Sequence, residues 1–264
     1  MNPKISIITP CFNCEKFISE TIESVLKQTY TNFEMIIVDD ASTDKSFDII
    51  KEYALKDSRI IYFQNQQNSG AYYSRNFAIK NATGDYIAFL DSDDIWDESK
   101  IKTQIVFMEN NNCDFSYTSY ELIDEMSNSL YKFARVKKNL TYIDNLFHNW
   151  PGCLTVMYNQ NTIGKVYGQK KGNGDDYDLF LKILKKSKKA MGLKISLAKY
   201  RKHSNSISYN RFKMIKNHIE TLHKFNNIPL ILAIFFLLTH SFYLLTLKYK
   251  KKSKMKISPT SLSC

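Results

Sequence analysis

The chain has 264 residues, 44% of them hydrophobic and 24% charged, which allows one large domain, or one domain with an appendage, around a substantial core. Its five cysteines, Cys11, Cys14, Cys113, Cys153 and Cys264, are odd in number and scattered, so no disulfide framework is legible and a reducing compartment is favoured. The net charge of +11 is uneven, with acids clustered in the first hundred residues and lysines gathering from Lys170 onward beside a hydrophobic segment, a pattern that points to an anionic membrane surface and away from nucleic acid.

Strand-like and helix-like runs alternate through the first 120 residues. The N-terminal MNPKISIITP has too short an apolar run for a secretory signal, and KISIIT (4–9) within it reads as a buried strand. EKFISETIESVLKQ (15–28) reads as an amphipathic helix with Phe17, Ile18, Ile22, Val25 and Leu26 facing inward. FEMIIV (33–38) is a second strand, followed by the polar loop DDASTD and a helix over about 44–55. RIIYF (59–63) is a third, and a helix over about 71–81 leads to a fourth, YIAFL (86–90). This order predicts an α/β fold with a mostly parallel central sheet flanked by helices.

In such sheets ligands bind beyond the carboxyl ends of the strands. TPCFN, DDASTD, NQQNSG and DSDD follow the four strands in turn, so the polar stretches converge on one crevice. The first loop carries Pro10 and none of the glycines of a GxGxxG turn, which argues against NAD-type binding. CFNC has CxxC spacing without a second ligand pair, and its cysteines read as small core or loop residues. Beyond residue 120 the pattern fades. Only a helix over about 177–189 is legible, after the glycine-rich acidic loop GNGDD (172–176).

YIAFLDSDDIW (86–96) ends a strand in three carboxylates, Asp91, Asp93 and Asp94. Like charges this close repel, and an unpaired carboxylate is costly to desolvate. Hard oxygen donors suit Mg²⁺ or Mn²⁺, and Mg²⁺ is commonly shared with substrate phosphates. Asp94 or Asp97 has a simpler use as the cap of a helix starting near Glu98. Two readings stand for Asp39 and Asp40: hydrogen bonding to a nucleotide base or ribose, or, for Asp40 with Ser42 or Thr43, capping of the next helix. Asp175 and Asp176 read either as acids favoured at a helix N-terminus or as a proton acceptor set away from a metal.

Four blocks, ITPCFNCEKFISETIESVLKQTYTNFEMIIVDDASTD, NSGAYYSRNFAIKNATGDYIAFLDSDDIW, GDDYDLFLKIL and YRKHSNSIS, occur in this order and cover most of residues 4–208. Together they resemble the family 2 glycosyltransferases. The resemblance implies an inverting enzyme of GT-A fold, with 1–210 as catalytic domain: 1–110 the nucleotide-sugar half and 111–210 the acceptor half. It implies that Pro10, Phe12 and Asn13 wall the nucleotide pocket, with Phe12 replacing the more usual tyrosine. Asp39, with Asp40 beside it, is implied at the base, and Arg75 near the diphosphate or ordering the metal loop. Asp91 is implied at the ribose or a metal-bound water, and Asp93 as a direct ligand of Mn²⁺ or Mg²⁺, which His203 also approaches. Asp176 matches the catalytic base, and Asp175 stands where the family has glutamate.

The QxxRW signature of processive synthases is absent around Trp96 and Trp150, so a single sugar is expected per encounter. The expected reaction moves glucose or galactose, β1-3, from a UDP-sugar to a lipid-linked glycan such as GlcNAc-diphosphoundecaprenol in bacterial O-antigen synthesis. Lipooligosaccharide core or capsule is the alternative destination. Two other classes compete. A non-catalytic nucleotide-sugar-binding membrane protein is disfavoured by the retained acids, and a nucleotidyltransferase by the absence of a glycine- and lysine-rich phosphate loop. Residues 120–165, including HNWPGC, are expected to shape the acceptor site.

Residues 211–264 are expected to form a helical, hydrophobic and basic tail. IPLILAIFFLLTHSFYLLTL (228–247) is apolar on all faces in its first half and interrupted by Thr239, His240, Ser241 and Thr246 in its second. Lysines follow it, and for a span this charge would set the catalytic domain outside, away from nucleotide sugars. The expectation is therefore a membrane-associating segment over 228–256, in-plane or re-entrant on anionic lipids, at the cytoplasmic face of the bacterial inner membrane.

Overall fold

The structure, a computed structural model, describes residues 2–169, 175–203, 219–246 and 249–251. Strands β1 (Ile5–Cys11) and β2 (Phe33–Asp39) are buried along their whole length, as apolar runs covered on both faces are. They pair in parallel and are flanked in parallel by β3 (Ile60–Gln64) and β4 (Tyr86–Phe89), in the order β3–β2–β1–β4. Successive side chains of β1 feed two cores. Ile5 and Ile7 pack with α1 (Ile18–Leu26), α2 (Ser46–Lys56) and α4 (Lys100–Asn110). Ile8 packs with α3 (Ala71–Asn81) and α7 (Asp175–Ser187). On α1, Ile18, Ile22 and Val25 are fully buried, whereas Phe17 and Leu26 are only partly so.

The sheet is mixed, which corrects the expectation of a mostly parallel one. Strand β9 (Met157–Asn159) bridges β4 and β6 (Phe115–Ile123) antiparallel, and β7 (Ser129–Ala134) continues antiparallel from β6. The long β10 (Lys189–Arg201) is parallel to β6 and antiparallel to the short β5 (Ile95–Trp96) and β8 (Asn139–Thr141). Strand β6 lacks an apolar signature because buried hydroxyls stand in for apolar side chains. In β6, Ser116 Oγ accepts from Gln104 Nε2 at 2.9 Å, Thr118 Oγ1 donates to the Ser119 carbonyl at 2.9 Å, and Ser119 Oγ donates to the Ala134 carbonyl at 2.7 Å. Each is satisfied inside, so burial is tolerated without hydrophobicity.

Buried Glu34 ties the base of the parallel strands together. Its carboxylate accepts from Lys4 Nζ at 2.7 Å, Ser6 Oγ at 2.6 Å and the Thr83 amide at 2.7 Å. Burial alone would raise its pKa, but these donors outweigh it and hold the carboxyl below its ordinary value.

The short helices α5 (Tyr142–Phe147) and α6 (Gln160–Ile163) and a 3₁₀ turn at Cys153–Thr155 connect the later strands. The 228–247 segment forms α8 (Leu230–Thr246), 17 residues long. Among the described residues no helix is long and apolar enough to cross a membrane. It docks by one side: Ala233 and Tyr243 are buried, while Ile231, Leu238 and Phe242 are exposed. Strand β11 (Tyr249–Lys251) follows and pairs antiparallel with β7. Ser204–Ser208 of the last motif and the lysines at 248, 252, 254 and 256 lie outside the described residues, as do residues 172–174 of the glycine-rich loop.

Candidate active site

The carboxyl ends of β1, β2 and β4, with the start of α7 and the end of β10, bring the expected residues into one crevice. Asp39 closes β2 and is buried. Its Oδ2 accepts from the Ser42 amide at 3.1 Å and Gln64 Nε2 at 3.2 Å. Its Oδ1 is buried with no partner among the described residues. A buried acceptor left open in this way fits an N–H donor on a ligand.

Asp40 is placed differently. Its Oδ1 accepts from Asn65 Nδ2 at 2.6 Å and the Ser69 amide at 3.0 Å, and its Oδ2 from the Gly70 amide at 2.7 Å. It thereby fixes the 65–70 loop against the start of α3. Gly70 has φ +90°, a conformation that a side chain strains. The helix-cap reading of Asp40 is corrected by these bonds; the turn before α2 is held by Asp44, which accepts from the Ser46 and Glu15 amides.

Pro10 is buried within β1, beside Val38 of β2. Phe12 is exposed at the crevice edge. Asn13 takes a left-handed φ of 48°, and its Oδ1 accepts from the Thr43 amide at 2.9 Å while its own amide donates to Ser42 Oγ at 2.9 Å. The two loops are thus laced together. Cys11 and Cys14 are free thiols, and Cys14 Sγ accepts from Ser92 Oγ at 3.1 Å.

The Asp91–Asp94 loop is held from below. Thr21 Oγ1 of α1 donates to the Ser92 and Asp94 carbonyls at 3.0 and 2.9 Å. Asp94 is fully buried and accepts the Arg201 amide at 2.9 Å, so it anchors the loop to β10 and does not cap α4. Burial, with Asp93 and Asp91 alongside, raises its carboxyl well above the ordinary value. Asp97, the other cap candidate, accepts from the Ser99 amide at 3.0 Å in the turn ahead of α4.

Asp91 Oδ1 accepts from Arg75 Nη2 at 3.0 Å. Burial raises the Asp91 pKa; Arg75 opposes this, and the charges of Asp93 and Asp176 add to it. Asp176 therefore lies within electrostatic reach of Asp91, on the second residue of α7, with Asp175 opening the helix. Asp93 Oδ2 meets His203 Nε2 at 2.8 Å, and the His203 ring packs on Phe17 at 5.1 Å between centroids.

Among the described residues no three His, Cys, Asp or Glu side chains form a metal cage. A carboxylate oxygen and an imidazole nitrogen nevertheless share one point at Asp93 and His203. Two protein donors with diphosphate oxygens and water completing the shell are a fitting set for Mn²⁺ or Mg²⁺.

Two residues escaped the sequence reading. Arg201 is fully buried, its guanidinium donating to the Asp93 carbonyl at 2.8 Å, Ser127 Oγ at 2.9 Å and Glu20 Oε2 at 2.5 Å. Its place two residues before His203 was the only available signal. Cys153 Sγ lies 3.9 Å from Asp91 Oδ1, and burial drives its thiol pKa up. Its place at the end of HNWPGC pointed to the acceptor side and gave no sign of the contact with Asp91.

Comparisons with known proteins show the family and the fold. Residues 6–167 match the family model described as glycosyl transferase family 2. The chain is 40% identical over 238 residues to the Escherichia coli UDP-Glc:alpha-D-GlcNAc-diphosphoundecaprenol beta-1,3-glucosyltransferase WfgD, covering 89% of this chain and 91% of that one. Its fold matches S. aureus TarS 1-349 in complex with UDP-GlcNAc, with TM-score 0.71, 22% identity, and coverage of 89% of this chain and 70% of that one. It also matches the mannosyltransferase PcManGT from Pyrobaculum calidifontis in complex with GDP-Man and Mn²⁺, with TM-score 0.67, 13% identity, and coverage of 93% and 70%. The chain belongs to glycosyl transferase family 2 and is a glycosyltransferase of GT-A fold.

Proposed function

We propose that the enzyme transfers one glucose or galactose, with inversion, from a UDP-sugar to a lipid-linked glycan of the GlcNAc-diphosphoundecaprenol type, making a β1-3 bond in bacterial surface-polysaccharide synthesis. The carrying observation is the Asp93–His203 pair at 2.8 Å, two residues from Asp91, itself within electrostatic reach of Asp176. Likeness to WfgD over nine-tenths of that protein supports the donor and acceptor.

In this reading the open Oδ1 of Asp39 takes the uracil N–H, and Pro10, Phe12 and Asn13 wall the base. Asp40 serves the donor through the loop it holds. Arg75 keeps Asp91 oriented toward the ribose or a metal-bound water. Asp93 and His203 hold Mn²⁺ or Mg²⁺, which when bound neutralises the charge developing on the departing diphosphate. Asp176 takes the proton of the acceptor hydroxyl while the hydroxyl oxygen bonds to the anomeric carbon. The bond from that carbon to the diphosphate breaks on the opposite face, so an α-linked donor yields a β product. Asp175 stands beside the base at the helix N-terminus. A lipid-linked acceptor sets the reaction at the cytoplasmic face of the inner membrane, with 228–256 on the anionic lipid surface.

The test is a panel of UDP- and GDP-sugars with synthetic GlcNAc-diphospho-lipid, the product's linkage read by NMR. A β1-3 hexose from UDP-glucose or UDP-galactose is expected; an α linkage, or transfer from GDP-sugars alone, overturns the reading.

A further inference from the structure

Helix α8 turns the large apolar side chains Ile231, Leu238 and Phe242 outward, while Ala233, Phe236, Thr239, His240 and Tyr243 face the catalytic domain. Thr239 Oγ1, which donates to the Phe236 carbonyl of its own helix at 2.8 Å, also lies 3.3 Å from the Phe147 carbonyl, and His240 Nδ1 accepts the Asn149 amide at 3.4 Å. The Tyr243 ring, almost wholly buried, stacks on His148 at 4.4 Å and 19° and lies 4.9 Å from Trp150. A helix whose only task is to float on lipid gains nothing from such a stack.

The chain that Tyr243 grips runs straight into the site. Trp150 donates its amide to Asn145 Oδ1 at 3.1 Å. Gly152 is pressed so close to Tyr120 that a Cβ would sit 2.8 Å from its ring, and Cys153 then reaches Asp91. On the other side Ala233 of α8 shares a core with Tyr177, the neighbour of Asp176, and the Tyr177 hydroxyl donates to the Asn145 carbonyl at 3.1 Å. One helix therefore braces both the Asp91 and the Asp176 walls. Asn145 Nδ2, His148 Nδ1 and Asn149 Oδ1 are buried without partners among the described residues, a spare hydrogen-bonding capacity suited to a polar ligand.

We infer that Tyr243 is an acceptor-positioning residue, which through His148 and Trp150 holds the 148–153 segment where the lipid-linked glycan docks. This rests on the proposed lipid-linked acceptor and adds that α8 is part of the acceptor site.

The test measures the affinity of a short-chain, water-soluble GlcNAc-diphospho-lipid calorimetrically, alongside UDP affinity and thermal unfolding. Wild type binds it; Tyr243→Ala weakens it at least about fivefold, the loss of two aromatic contacts, with UDP affinity unchanged. Tyr243→Phe keeps the ring and restores the affinity. Leu238→Glu with Phe242→Glu, on the outward face, leaves this affinity intact while abolishing binding to phosphatidylglycerol vesicles. Unchanged affinity in Tyr243→Ala, equal loss in the outward variant, failure of Tyr243→Phe to restore, or no binding by the wild type each overturns the inference. Wild-type acceptor binding without sugar transfer instead faults the proposed reaction and leaves the positioning role supported.

Discussion

Asp91 and Asp93 stand two positions apart yet face different partners, Arg75 for the first and His203 for the second. That division lets adjacent acids coexist, because each is offset by a group of its own. Asp93→Ala is expected to weaken Mn²⁺ binding in the presence of UDP, read by paramagnetic resonance, and to lower transfer about 10²–10³-fold. EDTA should abolish wild-type transfer, and added Mn²⁺ should restore it. A second residue tests the interior. Lys100 is fully buried, its Nζ 2.6 Å from Gln104 Oε1 and 4.3 Å from the Trp96 ring centre. Burial lowers its pKa to about 7. Unfolded, Lys100 keeps its proton up to the ordinary lysine range; folded, it releases it near 7. Between those values the unfolded state binds more protons, so stability rises with pH, by up to about 1.4 kcal/mol per pH unit. Lys100→Met should flatten that rise in urea unfolding measured from pH 7 to 10.

At the scale of elements, β1 to β4 with their helices were legible because each is an apolar run with a single period, bounded by polar loops. Among the later strands, β6 was hidden because hydroxyls bonded inside the sheet replace apolar residues, and β8 and β9 because three residues leave no periodicity. The Asp91–Asp94 loop was legible by charge alone, whereas His203 acquired meaning only from its motif. Tyr243 gave no signal of its own and Cys153 only its place in HNWPGC, since their contacts are with residues 95 and 62 positions away. Glu34 joins β1, β2 and the loop before β4. Glu34→Ala leaves its buried donors unmatched and is expected to cost about 3 kcal/mol, seen as a lower urea midpoint at unchanged m-value.

The whole molecule sets a parallel, deeply buried half against a half of mixed strand direction. The first presents the open Oδ1 of Asp39 and the Asp91–Asp94 loop, and the second returns Arg201 and His203 to that loop along β10. Helix α7 enters from the side with Asp176, and α8 leans on both walls. The proposed chemistry needs that convergence: a held diphosphate on one side and a proton acceptor on the other. The most direct measurement is the turnover of UDP-hexose on GlcNAc-diphospho-lipid by wild type and Asp176→Asn, with UDP affinity measured in parallel. The expected result is a loss of about 10²–10⁴-fold in turnover with UDP affinity intact. Wild-type turnover by Asp176→Asn would contradict the assignment of Asp176 as the base.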